Sequence, residues 1–405
     1  MLPDLLQTSP YLTVIRSGEP APVIYMTDTR GPTLPVITDP AGAAYGVIGL
    51  GRRVDWQHDA AGLAALNRAA RDPLPAGELA AEFGQDLIEH LTAKGWLQPP
   101  EEICAEYRLL TAQIEITAHC NWRCRYCPVS TEPKPAATMP MDLYEEILGK
   151  LQPHAETIKF VTFHFFNEPT LDRFFDQRVH LLADHHLKLS LSTNASALTP
   201  AKIDLLAQTG VLHHLVVNIP SLDAAEFQRL TGATTYRASL RHLDLAIDAG
   251  FPITVAVNGT DEDLERSADG LRERYEPRGV TVHPTQTCDR AGVLTNEYHQ
   301  DVHAAGRLGG CSWPLNHAYF SVTGDLFACC NDFHQREVFG HIRDGSLHEI
   351  MTSPAAIRLR RRVFGAEDAP ADFLCRTCHD QRPDFPERQF RPLAAFPATA
   401  ADQGR

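Results

Sequence analysis

A chain of 405 residues is long enough for two or three domains, each with a core of its own. Its 51 Asp and Glu against 37 Lys and Arg give a net charge of −14, which argues against a broad nucleic-acid footprint. No apolar stretch approaches a membrane span, and the N-terminal Met-Leu-Pro-Asp-Leu-Leu-Gln lacks the basic region of a signal peptide. The expectation is a soluble, cytoplasmic protein with neither a nucleic-acid nor a membrane partner. In a reducing cytosol its ten cysteines are metal ligands sooner than disulfides, and eight of them fall into two groups with ligand-like spacing.

Residues 1–108 read as a separate small α+β domain. Tyr11-Leu-Thr-Val-Ile-Arg and Val23-Ile-Tyr-Met-Thr are β-rich runs divided by the turn-forming Ser17-Gly-Glu-Pro-Ala-Pro. Later stretches beginning at Glu78 and Asp86 have helical spacing, with Leu87, Ile88 and Leu91 on one face and Gly95 as a C-cap. Strands followed by helices that end in Lys-Gly-Trp-Leu predict a winged-helix-like module. Cys104, at its end, reads as a plain buried or linker thiol.

Just after the apolar run Ala112-Gln-Ile-Glu-Ile-Thr comes Cys120-Asn-Trp-Arg-Cys124-Arg-Tyr126-Cys127. Three thiolates on one short loop can hold three corners of an iron–sulfur cube, because soft sulfur suits iron and zinc better than oxygen does. One iron then stays open for another molecule. A structural zinc knot is the competing reading; it normally shows a fourth Cys or His nearby, and His119 is poorly placed beside Cys120.

From 109 to 295 strand and helix patterns alternate. Ala112–Thr117, Thr157–Phe166, Leu187–Thr193, His214–Ile219, Ile253–Asn258 and Val280–Pro284 are rich in Val, Ile, Phe and Thr. Helical patterns lie between them, the first carrying Leu143, Ile147, Leu148 and Leu151 with Asp142 in its first turn. Repeated βα units imply parallel strands, with active groups at the strand C-termini. Polar clusters stand at those ends: Phe166-Asn167-Glu168-Pro169, Ser192-Thr193-Asn194, Asn218-Ile-Pro-Ser221 and Thr287-Cys288-Asp289-Arg290. A thiol at Cys288 can donate a hydrogen atom or proton to a substrate radical, and Arg290 can pair with a substrate carboxylate; the plainer alternative is a buried thiol and a solvated charge in a linker.

The second cysteine group spans Cys311, Cys329-Cys330 and Cys375-Arg-Thr-Cys378. Tyr319-Phe-Ser-Val, the turn Thr323-Gly324-Asp325 and the return Leu326-Phe-Ala form a hairpin. A helical insert with Ile350, Ile357 and Leu359 follows. Four thiolates gathered this way make a closed site, for which zinc and [4Fe–4S] both fit.

The cysteine loop, with its aromatic residue before the last Cys, resembles the signature of the radical S-adenosylmethionine (radical SAM) superfamily. That resemblance implies a partial (β/α)6 barrel over 109–295. It implies a [4Fe–4S] cluster on Cys120, Cys124 and Cys127, whose open iron binds S-adenosylmethionine. Phe166-Asn167-Glu168-Pro169 stands where the family shows Gly-Gly-Glu-Pro, so Glu168 would hold the cosubstrate's amino group and Asn167 would help position the cosubstrate, its side chain intruding where backbone usually approaches. Tyr126, Ser192, Asn194 and Asn218 are the further cosubstrate contacts implied. The second cysteine group resembles the shortened "twitch" form of the SPASM extension, placed at 296–385 with a flexible tail at 386–405. It implies one auxiliary [4Fe–4S] cluster on Cys311, Cys329, Cys375 and Cys378, with Cys330 as the alternative to Cys329. The N-terminal module, with Ile37-Thr-Asp-Pro-Ala-Gly-Ala-Ala-Tyr-Gly, is similar to the precursor-peptide recognition elements of ribosomal-peptide maturases.

The expected function is radical oxidation or cross-linking of a ribosomally made peptide, with a flavodoxin- or ferredoxin-type electron donor. A sugar or aminocyclitol dehydrogenase or epimerase is the rival enzyme, and a non-catalytic iron–sulfur or zinc scaffold the rival of another class.

Overall fold

A computed structural model describes residues 2–16, 45–48, 54–57, 61–70, 72–259, 261–287, 289–294, 308 and 310–378. The chain forms two compact units, one of Met1–Arg108 with His303–Leu315 and Pro354–Arg405, the other of Leu109–Val302 with Asn316–Ser353.

In the first unit β1 (Leu5–Thr8) is followed by β2 (Thr13–Arg16), β3 (Tyr45–Ile48) and β4 (Val54–Gln57), which form an antiparallel meander. Then come α1 (Ala61–Arg68), β5 (Leu74–Pro75), α2 (Ala76–Phe83), α3 (Gln85–Ala93) and β6 (Leu97–Gln98), with β1 lying antiparallel between β5 and β6. Leu6, Val47, Leu66, Leu79, Ile88 and Trp96 share one buried core. Past the end of α3, Gly95 takes φ 68 and Trp96 N–H returns to the Leu91 carbonyl at 2.9 Å, a left-handed stop that glycine makes without a Cβ penalty. The run at 23–27, the 386–405 tail and most of the stretch from Ile37 lie outside the described residues.

The helix Pro354–Val363 belongs to this unit too. Arg360, 1% exposed, donates Nε to the Cys104 carbonyl at 2.8 Å and Nη2 to that of Ala105 at 3.2 Å. Arg361 donates to the carbonyls of Ile103 and Pro100. The buried guanidinium thus depends on residues 100–105. Cys104 is buried, which pushes its thiol up to about 12 and leaves it un-ionised.

The second unit is a nine-stranded sheet. Its chain runs β7 (Thr111–Ile114), α4 (Met141–Leu151), β8 (Phe160–Thr162), α5 (Phe175–Asp184), β9 (Leu189–Thr193), α6 (Pro200–Thr209) and β10 (Leu212–Asn218). It continues through α7 (Ala224–Thr231), α8 (Tyr236–Asp248), β11 (Ile253–Gly259), α9 (Asp261–Tyr275) and β12 (Thr281–Gln286). Strands β7 to β12 pair in sequence order, all parallel, as six βα units demand. By register Val161, Leu191, Val217 and Val255 share one face of the sheet and are fully buried there, while the opposite face carries the polar Thr162, Ser190 and Thr254. The sheet is open. β13 (His317–Phe320) adds parallel to β7, and β14 (Asp325–Phe327) and β15 (Val338–His341) continue antiparallel to the edge. The β13–β14 hairpin pairs Tyr319 with Phe327 and Phe320 with Leu326. Its turn needs Gly324, at φ 93, where an added Cβ would stand 3.0 Å from Leu143 Cδ1.

The reading of 157–166 as one long strand is shortened to Phe160–Thr162. At the start, the Thr157 and Ile158 N–H groups still bond the His154 carbonyl in the preceding turn, and at the other end Asn167 intervenes: its Oδ1 accepts the Phe165 N–H at 2.7 Å, and its Nδ2 donates to the Thr117 and Phe163 carbonyls at 2.7 and 3.1 Å. The side chain replaces ladder bonds and curls the segment. Phe166 is driven to φ 52, a left-handed conformation that costs a bulky residue on the order of 1–3 kcal/mol.

Candidate active site

The cysteine loop leaves β7 at the C-terminal end of the sheet and is pinned from several sides. Trp122 is 1% exposed, donates Nε1 to Thr235 Oγ1 at 2.9 Å, and meets Phe227 edge-on with ring centroids 5.0 Å apart. Arg123 and Arg125 N–H groups bond the Thr231 and Leu230 carbonyls at the end of α7. Arg123 Nη1 reaches back to the Cys120 carbonyl at 2.8 Å, and Glu168 N–H bonds the His119 carbonyl at 2.8 Å. The loop is therefore held in place by neighbouring elements.

Burial pushes all three thiols upward, Cys120 to about 12 and Cys124 well above the ordinary value, and the charges of Cys127 and Cys120 raise Cys124 further. Backbone N–H groups of Trp122 and Val129 reach Cys120 and Cys127. Three crowded, desolvated soft donors with amides directed at sulfur fit an iron–sulfur cluster, whose positive irons offset the mutual repulsion. Among the described residues no three His, Cys, Asp or Glu side chains converge closely enough to share a single metal ion. A cluster asks less, since each of its irons takes its own thiolate.

Glu168 lies beside this loop, 1% exposed. Its Oε1 accepts from Thr170 N–H at 3.0 Å, Thr170 Oγ1 at 2.5 Å and Thr193 Oγ1 at 2.6 Å; its Oε2 accepts from Asn194 N–H at 2.6 Å. Burial raises its pKa while these bonds pull it down. The carboxylate thus joins the β8 and β9 ends, with fewer partners on Oε2. Asn194 donates Nδ2 to Asn121 Oδ1 at 3.0 Å, inside the cysteine loop. Asn218 donates to the Tyr126 hydroxyl at 3.0 Å and accepts from Asn258 at 2.8 Å. Ser192 is half-buried on β9, in register with Val216. The Asn167 side chain bonds Phe165 and Phe163 in its own loop and Thr117 across from it.

Arg290 takes φ 53, stands 5.8 Å from the Phe166 ring, and acts electrostatically on Cys127. Cys288 lies outside the described residues. Of the second cysteine group, Cys329 and Cys330 follow β14 in the second unit, whereas Cys311, Cys375 and Cys378 belong to the first. Cys329, Cys375 and Cys378 are buried; Cys311 and Cys330 are partly so. Near the loop is a cavity of about 440 Å³ lined by Glu115, Ala118, Lys134, Val322, Phe333 and Gln335. Lys134 Nζ sits 3.1 Å from Glu115 and 4.3 Å from the Phe165 ring centre.

The sequence reading missed Asn121, Thr170, Thr193 and Asn258. Asn258 carries the same signal as Asn194 and Asn218, an Asn at the end of a parallel strand. Thr193 immediately precedes Asn194.

Residues 114–270 match the radical SAM superfamily, and residues 311–379 match an iron–sulfur cluster-binding domain of the SPASM type. The chain is a radical SAM enzyme with a SPASM extension, and these domains bring a [4Fe–4S] cluster, S-adenosylmethionine and auxiliary iron–sulfur chemistry. It is 22% identical over 272 residues to the S-adenosyl-L-methionine-dependent 2-deoxy-scyllo-inosamine dehydrogenase of Niallia circulans, covering 66% of this chain and 92% of that one. It is 26% identical over 166 residues to a GTP 3′,8-cyclase of Actinobacillus pleuropneumoniae, covering 40% and 48%. The crystal structure of Streptococcus suis SuiB bound to its precursor peptide SuiA superposes with a TM-score of 0.53 at 11% identity, covering 87% of this chain and 90% of that one. Among the described residues no helix is long and apolar enough to cross a membrane.

Proposed function

We propose that this enzyme oxidises or cross-links a ribosomally made peptide in the cytoplasm, drawing electrons from a flavodoxin- or ferredoxin-type donor. One observation carries the peptide reading. The fold likeness to SuiB spans 87% of the chain, which residues 109–405 alone are too few to supply, so it extends into the N-terminal α+β unit. An edge of the β2–β3–β4 meander is the surface on which a leader peptide would add as a strand.

Cys120, Cys124 and Cys127 are the residues that hold the cluster, which when bound supplies the electron that cleaves S-adenosylmethionine to a 5′-deoxyadenosyl radical. Glu168 offers Oε2 to the cosubstrate's ammonium, a charge-assisted bond, while its other oxygen keeps the turn in shape. Asn194, locked to Asn121, and Ser192, both at the β9 end, would face the same bound molecule, and Asn218 bonds Tyr126. Arg290 pairs with a substrate carboxylate, and Cys288 is the candidate hydrogen donor. Cys311, Cys375 and Cys378 with Cys329, or Cys330 in its place, would hold one auxiliary cluster, which would supply an acceptor for the leftover electron. Positioning the substrate C–H is the protein's main contribution, because the cofactor supplies the reactivity.

A second reading, an aminocyclitol or sugar dehydrogenase, is favoured by the match over 92% of the Niallia circulans enzyme. The test is anaerobic reconstitution of the full chain with S-adenosylmethionine and dithionite. Formation of 5′-deoxyadenosine, lost in Cys120→Ala, supports the enzyme; its absence overturns it. Short peptides encoded beside this gene are then offered against 2-deoxy-scyllo-inosamine. A peptide that loses two hydrogen masses supports the first reading, and oxidation of the aminocyclitol alone refutes it. The full chain is required, since removing residues 1–108 strips Arg360 of its acceptors.

A further inference from the structure

We propose that Asn258, Asn218 and Tyr126 form a directed hydrogen-bond relay that sets the reduction potential of the cluster on Cys120, Cys124 and Cys127. The inference rests on the cluster assignment above and goes beyond it. Asn258, near the end of β11, donates Nδ2 to Asn218 Oδ1 at 2.8 Å. Asn218, the last residue of β10, donates Nδ2 to the Tyr126 oxygen at 3.0 Å. Tyr126, whose oxygen accepts from Asn218, is also the side-chain hydrogen-bond partner of Cys124, and the relay assigns the hydroxyl proton to that sulfur. Every link points the same way, from strand end to thiolate.

Two properties make the relay effective. Tyr126 and Cys124 are 7% and 9% exposed, so the last bond acts in a low dielectric, where each donor polarises the next. A donor to sulfur stabilises the reduced cluster more than the oxidised one, because reduction adds negative charge to the sulfurs, and it therefore raises the potential. Asn218 is then a positioning residue for the cluster, and Asn258 acts on it from the adjacent strand. A net change of one hydrogen bond is worth about tenfold in the reduction equilibrium, or ~59 mV for one electron.

The test uses the reconstituted full-length enzyme in an anaerobic potentiometric titration with dithionite and mediators, followed by electron paramagnetic resonance. The signal that changes on adding S-adenosylmethionine identifies the open-iron cluster and separates it from auxiliary signals. Y126F is expected to lower the midpoint potential about tenfold in the equilibrium, ~59 mV. N258D, which places an acceptor where the relay begins, makes Asn218 rotate its amide and draws the Tyr126 proton off the sulfur. It is expected to lower the potential in the wild type and to have a clearly smaller effect in the Y126F background. A charge acting only through space would shift both backgrounds equally, and that result overturns the relay, as does an unmoved potential in Y126F with full iron content. If Y126F loses iron, N258D in the wild type decides: an unchanged potential overturns the proposal. A wild type without the cosubstrate-responsive signal would instead sink the cluster assignment.

Discussion

Replacing Glu168 by Gln probes the joint between two strand ends. The carboxylate accepts four hydrogen bonds, three on Oε1 from Thr170 and Thr193 and one on Oε2 from Asn194 N–H. In Glu168→Gln the amide oxygen can serve only one of these positions. Placed toward the three donors, it leaves an NH2 facing the Asn194 N–H, donor against donor in a site 1% exposed. One buried N–H without an acceptor costs about 1–3 kcal/mol. For a unit of this size that is a fall in Tm of roughly 2–4 °C per kcal/mol. Asn194, freed at its backbone, loosens its grip on Asn121 inside the cysteine loop. The same substitution removes the charged acceptor offered to the cosubstrate ammonium, worth about 1.5–3 kcal/mol, or tenfold to somewhat over a hundredfold in Kd. Differential scanning fluorimetry and equilibrium dialysis of S-adenosylmethionine, both anaerobic on the reconstituted enzyme, measure the two effects. Thr193→Val, which leaves Oε1 two other donors, should cost less than Glu168→Gln. An unchanged Tm together with unchanged cosubstrate affinity in Glu168→Gln would refute both the joint and the ammonium contact.

Asp172 and Arg178 form a fully buried ion pair at 2.6 Å behind the Glu168 turn, so Asp172→Ala should cost about 3–5 kcal/mol; the double change Asp172→Leu with Arg178→Met should recover most of it in thermal melts. At Phe166, φ 52 predicts that Phe166→Gly is more stable than Phe166→Ala by about 1–2 kcal/mol, and the reverse order would exclude the left-handed conformation. Burial, ahead of the opposing pull of Lys134, raises the Glu115 carboxyl above 4.5. The folded state then binds more protons than the unfolded one, so this group's contribution is full below about 4.5 and is lost as pH rises through the raised folded value. Relative to Glu115→Gln, the wild type should therefore lose Tm as pH climbs from there, and parallel pH profiles would contradict it. Trp122→Phe loses the 2.9 Å bond to Thr235 and should cost about 1 kcal/mol while retaining iron, read by melting and iron content.

Several features of the site were legible without coordinates because they are local. Three soft donors within one loop, after an apolar run and before repeated βα patterns, permit a cluster or a zinc knot by spacing, and the resemblance to the radical SAM signature favours the cluster. The turn at Thr323-Gly324-Asp325 and the stop at Gly95 are likewise written in adjacent residues. Partner choice is different. Nothing near Asn167 in the sequence marks Thr117, fifty positions earlier in the chain, as the partner of its amide.

The amino-acid sequence by itself carried the resemblance to the radical SAM family, since thiolate spacing and strand period act over a few residues. Only the tertiary structure decided what surrounds that chemistry. Parallel pairing of β7 to β12 brings residues far apart in the chain into hydrogen-bonding range, so that Asn258 reaches Tyr126 through Asn218 and Glu168 closes on Thr193 and Asn194. The physical reason is that a hydrogen bond's partner is fixed by register between strands, which depends on all of them packing together.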